Sequence, residues 1–410
     1  MKNVSEKLVW DKIESFNNED NIEIDFEDYS FSKLKIGIKD DSISTKEINE
    51  IDMDTLASVG VNINEDSDSG KYLLFGEKNY VAKPQFAGVE ILPIKEALET
   101  YPEIMEKYFF KAMETNKNRY TKAVSETVPK GYFIRVKKNV KIKEPLHAGL
   151  FMHEEMSAMS LHNIVVLEEG AHLHLITGCT ANHTLKGGLH VVVSEQYVGK
   201  NAKFINTMIH NWGPEFIVRP STATVVEKNG FFVNNYYSIK PPRNIKMDPF
   251  THLKGENATA KYMSILFCLP DTHSNIGGTV LMTGENSAAE LVARAVNYGG
   301  TIVQTGLLIG AAKNTRAHVD CSGLMLSDSG IIEAIPGLRA MHPDARMSHE
   351  AAIGKIDTGE VNYLQSKGLD EMQAIALIIR GFLDIGIEGL SPEMEKTIKE
   401  IAELSGHGEE

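Results

Sequence analysis

Only three cysteines occur in the chain, Cys179, Cys268 and Cys321. An odd, sparse set excludes a disulfide framework and leaves reduced thiols for metal chemistry. Long apolar runs are missing too. No stretch approaches the ~20 residues a membrane-spanning helix needs. The opening residues, MKNVSEKLVWDK, lack the apolar centre of a secretory signal. A cytoplasmic protein with no membrane partner is the expectation. A basic surplus is also absent, with 42 Lys and Arg against 56 Asp and Glu and a net charge of −14. That argues against a nucleic-acid partner, because phosphate recognition needs Lys and Arg concentrated on one face. There is no G-x-x-x-x-G-K-[ST] loop and no dinucleotide fingerprint. No bound nucleotide is expected in this chain.

What is present falls into three zones. Residues 1–117 are acidic and mixed, with runs such as NNEDNIEIDFEDYS and NINEDSDSG that read as solvated surface. Helical periodicity appears near 94–114, so this zone is expected to be α/β or mostly helical. Residues 118–353 are rich in short Val, Ile, Thr, Phe and Tyr runs punctuated by Gly and Asn. A charged residue followed by Gly or Asn recurs before a strand, ending at Gly170, Asn201, Asn229, Asn257, Asn286 and Asn314. The steps are 31, 28, 28, 29 and 28 residues, and Pro343-Asp344 follows as a further turn signal. Asn and Gly tolerate the left-handed backbone of a sharp corner. A corner at a fixed period is the mark of stacked repeats. Leucine-rich repeats need an L-x-x-L-x-L pattern that is missing, and propeller blades are longer. A β-helix fits best, with a β-sandwich as the rival. Residues 354–410 read as helical. Asp370 and Gln373 form a capping box for a helix with Ala374, Leu377, Ile378 and Phe382 on one face. Ser391-Pro392 opens a second helix carrying Met394, Ile398, Ile401 and Leu404.

Two groups could carry chemistry. In the first, His172 and His174 share a strand face near Cys179 and His183, and sulfur with imidazole could hold zinc or iron. The spacing matches no standard zinc motif, and histidines on the solvent face of a strand explain it equally. The second is stronger. Cys321 and His349 are 28 residues apart, one repeat. Residues one coil apart stack on adjacent strands, ~4.8 Å between backbones. Counted from their corners, the two are offset by two residues, which keeps the face and slides the register. Glu350 points oppositely on a regular strand unless the chain bends. His318 and Asp320 belong to the face away from Cys321. A thiolate, an imidazole and a carboxylate within one coil step can ligate metal or act as nucleophile and base.

Three stretches resemble the SufB/SufD family of iron–sulfur cluster assembly proteins: VPKGYFIRVKKNVKIKEPL (128–146), HNWGPEF (210–216) and SHEAAIGKIDTGEVNYLQSKGLDEMQAIALIIRGFL (348–383). The last is the most specific, since it couples a polar site to a helical segment. The resemblance covers roughly 115–390. It implies a mainly β protein, a right-handed parallel β-helix flanked by helical terminal regions. It implies a dimer through the C-terminal end of the β-helix, and C-terminal helices that bind SufC, an ABC-type ATPase. Cys321 occupies the place of the SufB cysteine, and His349 matches a histidine shared by SufB and SufD. Glu350 matches SufB, where SufD proteins usually carry Gly, whereas the GKID tail is more SufD-like. The mixture implies one protein serving both roles as a homodimer. Its expected cargo is a transient iron–sulfur cluster on Cys321, His349 and Glu350, and its expected role is a scaffold rather than an enzyme. A SufD-like structural subunit is the alternative. Many SufB proteins carry another cysteine after the NW motif, implicated in sulfur entry, and Arg219–Val226 has none.

Overall fold

A computed structural model of the chain describes residues 22, 24–31, 42–63, 70–82, 84 and 87–385. It is a β-solenoid of about eight turns with C-terminal helices. Each coil gives one strand to a 10-stranded sheet and one or two to a 12-stranded sheet, and successive coils pair in parallel. Strand alternation puts every second side chain in the lumen between the sheets. Leu173 and Leu175 of AHLHLI point there, as do Ala260, Tyr262 and Leu266 of TAKYMSILF. Phe204, Phe232 and Tyr262 stack down the lumen at one-coil intervals, with ring centroids 5.7 and 6.0 Å apart.

The corners sit where the Asn period places them. Asn201, Asn229, Asn257, Asn286 and Asn314 all have φ between 55° and 59°, and Gly170 has φ 69°. Gly170 and the corner asparagines from Asn201 to Asn286 each donate the backbone N–H to the carbonyl of the residue before the next corner Asn, at 2.8–3.0 Å. Side-chain amides add a ladder: Asn229 donates to Asn201, Asn257 to Asn229 and Asn314 to Asn286, at 2.9–3.1 Å. Asparagine is the residue that both tolerates this backbone and bonds to its own copy one coil away. Pro343-Asp344 is a turn of another kind. Asp344 is not left-handed, and its N–H is taken by His342 Nδ1 at 3.1 Å.

Both sheets take in strands from the N-terminal region. Lys71–Phe75 pairs in parallel with Leu146–Met152, and Val89–Pro93 pairs antiparallel with Tyr132–Val136. The helical period at 94–114 is interrupted. It forms Ile94–Thr100 and Pro102–Tyr108, because Tyr101 precedes a proline and leaves the helical region. Glu195 ties the following loop to the solenoid. Its buried carboxylate accepts the backbone N–H groups of Phe110, Lys111, Ala112 and Met113 at 2.6–3.2 Å. His162 Nε2 lies 2.8 Å from the same carboxylate.

The C-terminal helix Glu371–Phe382 begins with the expected capping box: Gln373 N–H donates to Asp370 at 2.7 Å and Asp370 N–H to Gln373 at 3.0 Å. Ala374, Ile375 and Ile379 are buried, and the latter two pack with Ile265, Phe267, Val296 and Leu324 on the outer face of the 10-stranded sheet. Leu377, expected on the same face as Ala374, points outward and is 49% exposed. The helix expected at Ser391-Pro392 lies outside the described residues.

Candidate functional site

Cys321 lies on Arg316–Met325, and His349 and Glu350 lie on the adjacent strand Arg346–Lys355. The pairing is regular and without a bulge: Val319 opposes His349, Asp320 opposes Glu350 and Cys321 opposes Ala351. His349 is thus two residues back from Cys321 in register and on the same, lumen-side face. Its Cα is about 8 Å from that of Cys321, from the strand spacing and a two-residue rise. Ala293 and Ala351 flank Cys321 on its two neighbouring strands, the smallest walls a non-glycine residue can supply. Cys321 is 3% exposed, whereas His349 and Glu350 are exposed. Burial, and then the charge of Asp320, push the Cys321 thiol up to about 11. It is a neutral thiol at neutral pH, and any metal bound there would have to displace its proton.

Glu350 occupies the outer face with Asp320, His318 and Ser348. His318 Nδ1 is 2.9 Å from the Ser348 hydroxyl. Asp320 accepts from Arg294 at 2.8 Å and from Ser322 at 3.1 Å. Burial raises the Asp320 pKa, but the Arg294 bond and charge overcome it and hold the carboxyl below its usual range. The Arg294 guanidinium also sits 5.9 Å from the centroid of Phe382, on the C-terminal helix. A line of contacts therefore runs from that helix to the residue beside Cys321. Within one chain the three expected donors are split between the two faces of the sheet, Cys321 and His349 on one and Glu350 on the other.

The other sequence group separates. His172 and His174 point away from the lumen, with His174 Nε2 3.0 Å from the Thr207 hydroxyl, and His183 is exposed in a loop. Cys179 faces the lumen. It pairs directly with His210, one coil on, and His190 approaches from the opposite sheet. Cys179, His190 and His210 bring ligand atoms within 4.8 Å of one another. They are the one such group of three among the described residues, and all are buried. Sequence reasoning missed it. The signal was the 31-residue step from Gly170 to Asn201, which also separates Cys179 from His210. Cys268 is a corner thiol, with Sγ 3.0 Å from the Thr272 hydroxyl.

Comparison with known proteins agrees with this architecture. Residues 150–382 match the family described as SUF system FeS cluster assembly, SufBD core domain. An iron-sulfur cluster assembly SufBD family protein of Archaeoglobus fulgidus is 37% identical over 355 residues, 87% of this chain and 95% of the relative. One from Methanothermobacter thermautotrophicus is 35% identical over 391 residues, 94% of this chain and 95% of the relative. One from Staphylococcus aureus is 26% identical over 306 residues, 72% of this chain and 64% of the relative. The solenoid, the C-terminal helix and the match across most of the chain lead to one assignment: this protein belongs to the SufBD family of iron–sulfur cluster assembly proteins.

Proposed function

We propose that this chain is the scaffold subunit of its assembly system, holding a nascent cluster where two copies meet at the C-terminal end of the solenoid. The observation that carries the reading is that this end is open. Ile331–Ala340 and Arg346–Lys355 are the last strands of their sheets, and among the described residues nothing pairs with their outer edges. Ile331 is 58% exposed and Ile353 45%. Two ten-residue edges with exposed apolar side chains are a template for pairing with another chain. A two-fold contact there doubles every ligand, so two Cys321, two His349 and two Glu350 surround one position.

Cluster iron takes thiolate ligands, and mixing in imidazole and carboxylate loosens the hold, which suits a scaffold that must hand its product on. The resting register keeps Cys321 buried and Glu350 on the other face. Arg346–Lys355 is paired on one side only, which leaves it room to bend, so loading involves its movement. A SufC-like ABC ATPase docking on the C-terminal helices supplies the force in this reading. Tyr363, 61% exposed, and Leu377 give those helices an uncovered apolar surface. The Phe382–Arg294–Asp320 contacts carry a displacement from there to the Cys321 strand. The test is anaerobic reconstitution with iron and sulfide. Cys321→Ala is expected to lose the visible absorbance of the cluster while keeping the wild-type far-ultraviolet spectrum. Normal loading by a folded Cys321→Ala variant would falsify the assignment.

A further inference from the structure

The solenoid lumen holds a second group of donors, some five strands from Cys321 along the 10-stranded sheet, or about 24 Å at the usual strand spacing. It comprises Cys179, His190 and His210. Three features set it apart from ordinary core residues. The donor atoms converge from both sheets to within 4.8 Å of one another. His190 Nδ1 and His210 Nε2 are buried and have no hydrogen-bond partner among the described residues. His210 Nδ1, by contrast, is 3.1 Å from the Tyr236 hydroxyl.

A buried imidazole nitrogen without a partner costs on the order of 1–3 kcal/mol. Two of them beside a thiol make an expensive arrangement for packing alone. Leu, Met or Phe would fill the same space without orphaned atoms. A bound cation removes the cost, because both free nitrogens and the sulfur become ligands. The Tyr236 contact then has the usual second role in a metal site: it fixes the His210 ring and turns Nε2 toward the metal.

We propose that Cys179, His190 and His210 bind one divalent transition cation of borderline softness, zinc or ferrous iron, inside the lumen. The donor set of one sulfur and two imidazoles matches that class, and oxygen-seeking calcium and magnesium are excluded by it. A tetrahedral zinc site places such donors about 3.3–3.6 Å apart. Closing from 4.8 Å to that spacing needs about 1 Å of side-chain movement. Binding replaces the Cys179 proton with the metal and releases that proton to solvent. Among the described residues no fourth His, Cys, Asp or Glu belongs to the group, so the fourth position is left for water or another small ligand. Trp212, whose ring centroid is 5.0 Å from that of His190, walls the site on one side.

The test uses the full chain expressed in medium supplemented with zinc, iron or cobalt in separate cultures. Metal content is measured by mass spectrometry and the cobalt form by absorption. One metal per chain is expected from the zinc or iron culture, and whichever is retained identifies the cation. The cobalt form is expected to show a thiolate-to-cobalt charge-transfer band and the intense visible bands of a tetrahedral ion. Both are expected to persist in Cys321→Ala and Cys268→Ala and to vanish in His190→Gln. The Cys179→Ser variant is expected to keep weaker visible bands and lose the charge-transfer band alone. A chain free of metal in all three cultures, with water filling the lumen, would overturn the proposal. So would a band lost in Cys321→Ala and kept in Cys179→Ser. Because the wild-type metal count and the Cys321→Ala spectrum need no change at the lumen site, a misfolded lumen variant leaves the proposal open to refutation.

Discussion

Glu195 gives the sharpest prediction about what holds the N-terminal region to the solenoid. Its carboxylate is fully buried and accepts four consecutive backbone N–H groups, from Phe110 to Met113, while contacting His162 Nε2. Glu195→Ala leaves six polar groups facing a cavity, of which only the Tyr197 hydroxyl keeps another partner, the Tyr108 carbonyl. At roughly 1–3 kcal/mol for each unsatisfied buried group, a rigid cavity costs more than 5 kcal/mol. Water entering the vacated space restores some of those bonds. The expected net loss is about 3–5 kcal/mol, the usual cost of removing one partner from a buried ionic network. Glu195→Gln keeps one carbonyl oxygen but aims an amide N–H₂ at other donors, so its loss falls between. The assay is native-state hydrogen exchange at 110–113, read beside urea unfolding. Where the loss appears as local opening, about 3 kcal/mol is a roughly 100-fold faster exchange at those amides, with strands such as Phe231–Lys240 unchanged. Wild-type exchange rates at 110–113 together with an unchanged unfolding midpoint would refute the reasoning.

Other perturbations have equally definite outcomes. Asn257→Val places a β-branched residue at φ 59° and cuts the amide ladder, so it is expected to cost about 2 kcal/mol or more in urea unfolding. Asn257→Gly keeps the backbone and is expected to lose less. The Cys321 and Cys268 thiols, pushed up to about 11, are expected to alkylate more than about 100-fold slower in the folded chain at pH 8 than in the unfolded one. Asp320→Asn removes a carboxylate whose folded pKa lies below its unfolded value. Its stabilisation, on the order of 1 kcal/mol, is present above the unfolded pKa of ~3.9 and fades as pH falls through the lower folded value. Wild type and variant are therefore expected to differ in unfolding midpoint at pH 7 and to converge as pH falls below the folded value.

Much of this structure is legible in the chain because its corners demand a rare backbone. A left-handed φ selects Asn or Gly, so Gly170 and the asparagines from Asn201 to Asn314 mark successive coils in the sequence. The longer, 30-residue step from Asn314 to Asp344 yields the two-residue offset between Cys321 and His349. Other features leave no such trace. Lys71–Phe75 is buried along its whole length, so KYLLF shows no alternation to identify it as a strand. Leu377 reads as a core residue by periodicity, but the helix buries the neighbouring stripe through Ile375 and Ile379. The His190 position is the least accessible to sequence. It meets Cys179 across the lumen, between sheets, where no fixed spacing links the partners. The Cys179–His210 pairing was within reach, since both follow their corners by nine residues.

The central claim is that one cluster belongs to two chains at the open end of the solenoid. Native mass spectrometry of the anaerobically reconstituted protein tests it most directly. A dimer is expected whose added mass and iron and sulfide content correspond to one cluster per two chains, with Cys321→Ala leaving the dimer without that mass. A cluster retained on single chains would contradict it.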